Sequence, residues 1–88
     1  MPRVELSEDI IEDAFEKVIL KFQEKLKEKG KMSLCSTHEC LGLINEEHNE
    51  LIEAVRSNSP EEFEEEMTDV GVCVILSLAS KYAGGLDW

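Results

Sequence analysis

Two pairs of acidic residues have the spacing of side chains that project from one side of a helix. Glu47 and Glu50 form the first pair, and Glu66 and Asp69 form the second. Residues three positions apart are neighbours on a helix surface, so antiparallel packing of two helices brings the pairs face to face. Four converging carboxylates offer only oxygen donors, which suit Mg²⁺ or Mn²⁺. The spacing therefore predicts a metal site at these four positions.

The segment around the two pairs is crowded with negative charge. Ten of the twenty acidic residues fall within residues 46–69, where Arg56 alone is basic. Crowded like charges destabilise a helix, and a bound cation would relieve the repulsion. A solvated helix start, favoured by the helix dipole, explains the acidic run at residues 61–66. It does not explain the spacing of the two pairs.

The elements that position these carboxylates are predicted to be helices, with no strand. Their expected ranges are about residues 8–29, 37–56 and 60–82. Ser7 is the expected N-cap of the first helix, and Gly30 follows its end. The sequence Ser59-Pro60-Glu61-Glu62 has the pattern of a capping box with proline at the first helical position, so the third helix begins there. A turn at residues 57–60 separates it from the second helix.

The third helix predicts an oligomer. Its segment VGVCVILSLAS, residues 70–80, is apolar almost all round, and such a helix is normally buried on every side. Two other short helices in a single domain of 88 residues cannot cover it completely. We therefore expect one all-α domain over residues 1–88 that assembles as a homodimer or homotetramer.

Composition excludes several kinds of partner. The net charge of −11 argues against nucleic acid, which binds basic surfaces, and against anionic lipid. The longest nearly uncharged stretch, residues 70–80, is too short for a membrane-spanning helix. The three cysteines are odd in number, and the N-terminal sequence MPRVELSED has no apolar stretch typical of a signal peptide. A reducing, cytoplasmic location is expected.

The acidic pairs belong to a longer motif with the pattern EExxE, a spacer, and ExxD. It is present as EEHNE at residues 46–50 and EMTD at residues 66–69, with fifteen residues between the halves. Over residues 38–80 the chain resembles the MazG-like branch of the all-α nucleoside triphosphate pyrophosphatase superfamily. Either half of the motif alone is weak, whereas both halves on two helices joined by a proline-containing turn are fairly specific.

The resemblance implies a fold and an activity. Such proteins form dimers or dimers of dimers, in which facing helices build a four-helix-bundle-like core around an acidic pocket. They bind Mg²⁺ and hydrolyse a nucleoside triphosphate, often a noncanonical one, to the monophosphate and pyrophosphate. By position, the metal ligands are Glu47, Glu50, Glu66 and Asp69. Glu46 and Glu47 are the catalytic candidates, with Glu46 expected to help activate the attacking water.

One departure from the family pattern supports an alternative function. Family members often carry a lysine shortly before the EE pair, whereas residues 41–45 here are LGLIN. The alternative is a noncatalytic helical module of the same fold that binds nucleotides or serves in assembly.

The first helix carries its own lysines. Lys17, Lys21 and Lys25 follow one another at spacings of four and therefore form a stripe. The favoured expectation is that they pair with Asp13 and Glu24 on a solvated face. The alternative is that they reach the phosphates of a substrate.

Two other metal sites are disfavoured. The motif Cys35-x-x-His38 lacks the second ligand pair of a zinc site. A di-iron bundle needs Glu-x-x-His, and the residue three positions before His48 is Asn45.

Overall fold

The computed structural model describes residues 1–88 and contains three helices and no strand. These are α1 (Glu8–Lys29), α2 (Thr37–Arg56) and α3 (Pro60–Tyr82). The predicted all-α fold is confirmed, and the bounds agree with those expected from capping residues and apolar periodicity. None of the three helices is both long enough and apolar enough to span a membrane.

Each helix begins at a serine cap. The side chains of Ser7, Ser36 and Ser59 each accept a hydrogen bond from the backbone N–H three residues later. The capping box predicted at the start of α3 is only half formed. The Glu62 carboxylate accepts from the Ser57 hydroxyl, at 3.3 Å, and not from the backbone of Ser59. This hydrogen bond thus links the turn before α3 to the first turn of the helix.

The central element is α3, which packs against both α1 and α2, while no Cα atom of α1 lies within 8 Å of a Cα atom of α2. The connection between α2 and α3 is three residues long, and Asn58 adopts a left-handed backbone conformation in it (φ 55°). So short a connection makes the two helices antiparallel neighbours. Gly71 permits the close approach of α1, because a Cβ atom there would lie 3.0 Å from both methyl carbons of Val18.

The C-terminal tail is attached to the connection between α1 and α2. Backbone hydrogen bonds run from Asp87 N–H to the Cys35 carbonyl (2.9 Å) and from Thr37 N–H to the Asp87 carbonyl (2.8 Å). The Ser80 hydroxyl accepts from Leu34 N–H and donates to the Leu76 carbonyl. These contacts fix the connection against the end of α3.

Little of a single chain is buried. The buried residues are Ala54, Thr68, Val72 and Ser80. The apolar half of α3 is therefore not covered on all sides within one chain. Four large apolar side chains along the whole of α3, each 43–46% exposed, follow one face of the helix and are named here the α3 stripe: Phe63, Met67, Val74 and Leu78. An exposed apolar stripe of this length is typical of an interaction surface.

Candidate metal centre

Four carboxylates converge where α2 packs against α3. One oxygen from each of Glu47, Glu50, Glu66 and Asp69 lies within 4.8 Å of the oxygens of the other three. Each helix contributes one pair of residues at a spacing of three, and the short turn between the helices brings the pairs together. No other group of acidic, cysteine or histidine side chains has this arrangement.

Two carboxylate oxygens of the group are buried and have no hydrogen-bond partner. They are Oε2 of Glu47 and Oε2 of Glu66. A buried carboxylate oxygen without a donor carries a desolvation penalty that a cation would offset. Oxygen donors only, on two rigid helices, fit Mg²⁺ or Mn²⁺. The residues present are therefore suited to hold such an ion.

The crowding of carboxylates raises the pKa of two of them, Glu66 and Glu47. A hydrogen bond with Glu50, burial, and the charges of Glu50, Asp69 and Glu47 together raise the pKa of Glu66 to about 7. Burial is the main cause that raises the pKa of Glu47, and the charges of Asp69 and Glu50 add to it. Without a metal ion, Glu66 is thus the carboxylate of this group that holds a proton up to near neutral pH.

The remaining acidic candidate lies at the edge of this group. Glu46 is exposed on α2 beside Glu47 and is not one of the four converging carboxylates. Its charge is nevertheless close enough to contribute to the raised pKa of Glu47, as the smallest of five causes. It therefore adjoins the site without forming part of it.

The lysines of α1 have different partners from those expected. Lys17 pairs with Glu64 at 3.3 Å, and Lys21 pairs with Glu65 at 2.7 Å and with Asp69 at 3.7 Å. The expected pairing with Asp13 and Glu24 on α1 itself is wrong, because Lys17 and Lys21 pair with acidic residues of α3. Sequence reasoning missed the contact between Lys21 and Asp69, although the spacing of four did identify the stripe.

A comparison with known families agrees with this architecture. The fold and the site together define a class of protein: an all-α chain in which two acidic pairs on neighbouring helices face each other. The sequence model of the MazG nucleotide pyrophosphohydrolase domain matches residues 36–87, more than half of the chain, and the chain belongs to this family. The match includes α2, α3 and the tail, and leaves α1 outside. No curated protein and no solved structure matches the chain significantly.

The raised pKa of Glu66 predicts how stability depends on pH in the metal-free protein. Glu47 and Glu50 of α2 and Asp69 of α3 face Glu66, and Lys21 of α1 reaches the group only through Asp69. The pKa of Glu66 is about 7 in the folded state, against an ordinary value of 4.5. The folded state therefore holds more protons than the unfolded chain in the pH window between these two values. The free energy of unfolding should therefore fall as pH rises through it.

Urea unfolding in the presence of a chelator, at several pH values between 5 and 8, measures this dependence. The Glu66→Gln variant should show a flatter profile, since the group that holds the extra proton is gone. Equal pH dependence of the two proteins would show that Glu66 does not titrate in this range.

Proposed function

We propose that this protein is a Mg²⁺-dependent nucleoside triphosphate pyrophosphohydrolase that forms a nucleoside monophosphate and pyrophosphate. The observation that carries the proposal is the convergence of four carboxylate oxygens within 4.8 Å in a chain of the MazG family. The net charge of −11 makes a bare triphosphate a poor ligand, so the substrate binds as its metal complex. Mn²⁺ is the second candidate ion because, like Mg²⁺, it prefers oxygen ligands.

Each acidic residue has a proposed role. Glu47, Glu50, Glu66 and Asp69 hold the ion. Bound Mg²⁺ supplies positive charge and Lewis acidity at the α-phosphate. The carboxylate of Glu46, exposed next to Glu47, accepts a proton from the attacking water, with Glu47 as the other candidate for this step. Attack at the α-phosphate releases pyrophosphate as a single unit.

Pyrophosphate release from a panel of common and noncanonical nucleoside triphosphates tests the proposal. Release should require Mg²⁺ or Mn²⁺ and should stop when a chelator is added. The panel also identifies the preferred nucleotide, for which we propose a noncanonical one. An absence of hydrolysis across the panel would favour the alternative below.

The alternative function is a noncatalytic module that binds nucleotides or serves in assembly. It is favoured by α2, whose residues 41–45 contain no basic side chain before the acidic pair. This module would keep the fold and bind metal and nucleotide without turnover. Binding of a nucleotide complex without product formation distinguishes it from the enzyme.

We further propose that the protein acts as a homodimer or homotetramer with a four-helix-bundle-like core, and that it is cytoplasmic. The assembly is supported by the small buried core of one chain and by the exposed α3 stripe. The location is supported by the three cysteines, all of which are free thiols.

Metal binding predicts a thermal shift. At a Mg²⁺ concentration a hundredfold above the dissociation constant, preferential binding to the folded state adds about 2.7 kcal/mol, or roughly 10 °C or more in melting temperature. Glu50→Ala and Asp69→Ala should lose this shift, and their metal-free forms should melt higher because repulsion is relieved.

The matched control for this experiment is Glu53→Ala. Glu53 is an exposed glutamate of α2 outside the group of four, so this variant should keep the shift. An equal shift in the wild type, Glu50→Ala and Asp69→Ala would place the metal elsewhere.

A further inference from the structure

One groove adjoins the four carboxylates. It has a volume of about 310 Å³ and includes Glu47 and Asp69 in its lining. The wall formed by α1 consists of Phe22, Lys25, Leu26 and Lys29. Ligand sites in proteins commonly have volumes of about 300–1,000 Å³ and a mostly apolar lining with a few polar groups. A ligand held by the carboxylates can therefore extend into this groove along α1.

Only some of the lysines on α1 are available to such a ligand. Lys17 is paired with Glu64, and Lys21 is paired with Glu65. Lys25 is the next residue in the same stripe, is half-buried, and forms no ion pair. Its ammonium group is thus an unneutralised positive charge in a groove that also contains two of the carboxylates.

No other basic residue lies in so favourable a position in this groove. The groove receives Leu43 and Glu47 from α2, and neither is basic. Lys29 lines the groove one turn further along α1, where it is exposed at the helix end. A triphosphate carries several negative charges, and a divalent ion at the carboxylates neutralises only part of them. Lys25 is the residue that can neutralise more of this charge inside the groove.

We propose that Lys25 binds the phosphate groups of the substrate from the α1 side of the groove. This inference rests on the proposed function, because it requires a phosphorylated substrate. Hydrogen bonds between an ammonium group and a phosphate are of the strong, charge-assisted class. The phosphates are then held between the metal ligands on α2 and α3 and the lysine on α1. In this chain α1 supplies the basic residue that α2 lacks.

Calorimetric titration with inorganic pyrophosphate in the presence of Mg²⁺ tests this role directly. Lys25→Ala should weaken binding by about ten- to a hundredfold, which corresponds to loss of one hydrogen bond between charged groups. Lys25→Arg should restore most of the affinity, because it keeps the charge and the donors. Lys27→Ala makes the same change in net charge at an exposed position outside the groove and should bind like the wild type. The affinity for Mg²⁺ alone should not change in any of these variants.

Three results would overturn the inference. The first is that Lys25→Ala binds pyrophosphate as tightly as the wild type, and the second is that the wild-type protein does not bind pyrophosphate. The third is an equal loss in Lys25→Ala and Lys27→Ala, which would make the effect one of net charge. The titration needs no turnover, so it tests Lys25 independently of hydrolysis. If the wild type hydrolyses no nucleotide but binds pyrophosphate, and Lys25→Ala loses this binding, the enzymatic function is refuted and the role of Lys25 is retained.

Discussion

The Glu47→Gln variant should lose hydrolytic activity by roughly a thousandfold or more, since a metal ion contributes several kcal/mol of transition-state stabilisation. The substitution keeps the shape of the side chain and removes its charge. Glu47 and Asp69 both belong to the group of four and line the groove next to it. The rate of pyrophosphate release under saturating Mg²⁺ measures the effect.

Glu53→Gln is the matched control for this variant. It makes the same chemical change on α2, at an exposed residue outside the four converging carboxylates, and should keep wild-type activity. Unfolding curves of both variants in a chelator establish that they are folded. A Glu47→Gln variant with the wild-type rate would show that the chemistry does not use this site.

Leu78→Glu should disrupt the assembly of the protein. The wild type is expected to have two or four times the chain mass of 10.0 kDa in light scattering. Leu78 belongs to the α3 stripe and is 46% exposed in one chain. A carboxylate buried without a partner at an interface costs about 3–5 kcal/mol, or roughly two to four powers of ten in the dissociation constant. The variant should therefore sediment as a smaller species or unfold.

Leu20→Glu is the control for an exposed leucine outside the stripe. Leu20 is 51% exposed and lies on the face of α1 opposite to Val18, which contacts α3. Its replacement should leave the mass unchanged. A wild-type protein that is a stable, folded monomer at micromolar concentration would contradict the proposed assembly.

Local signals explain why the helices and the acidic pairs could be predicted. Ser7 and Ser59 cap the helices that follow them, and Gly30 ends α1 with a positive φ of 84°. The four carboxylates could be grouped from sequence because a spacing of three fixes one side of a helix, and the short turn fixes how α2 and α3 meet. These features depend on local signals and on the packing of two helices that are consecutive in the chain.

The features that could not be predicted depend on how distant segments dock. Lys21 contacts Glu65, 44 positions away, only because α1 lies along the acidic part of α3. The tail is held by backbone hydrogen bonds of Asp87, and backbone groups leave no pattern in the sequence. The raised pKa of Glu66 arises chiefly from Glu50 on another helix, and the distance between these side chains cannot be obtained from the sequence.

Hydrolysis in water labelled with heavy oxygen tests the central claim of a nucleotide pyrophosphohydrolase most directly. The wild-type protein, Mg²⁺ and a nucleoside triphosphate are incubated in this water, and the products are identified by mass spectrometry. The proposed attack at the α-phosphate predicts a labelled nucleoside monophosphate and unlabelled pyrophosphate as the products. Label in pyrophosphate, release of orthophosphate with a nucleoside diphosphate, or the absence of any product would contradict it.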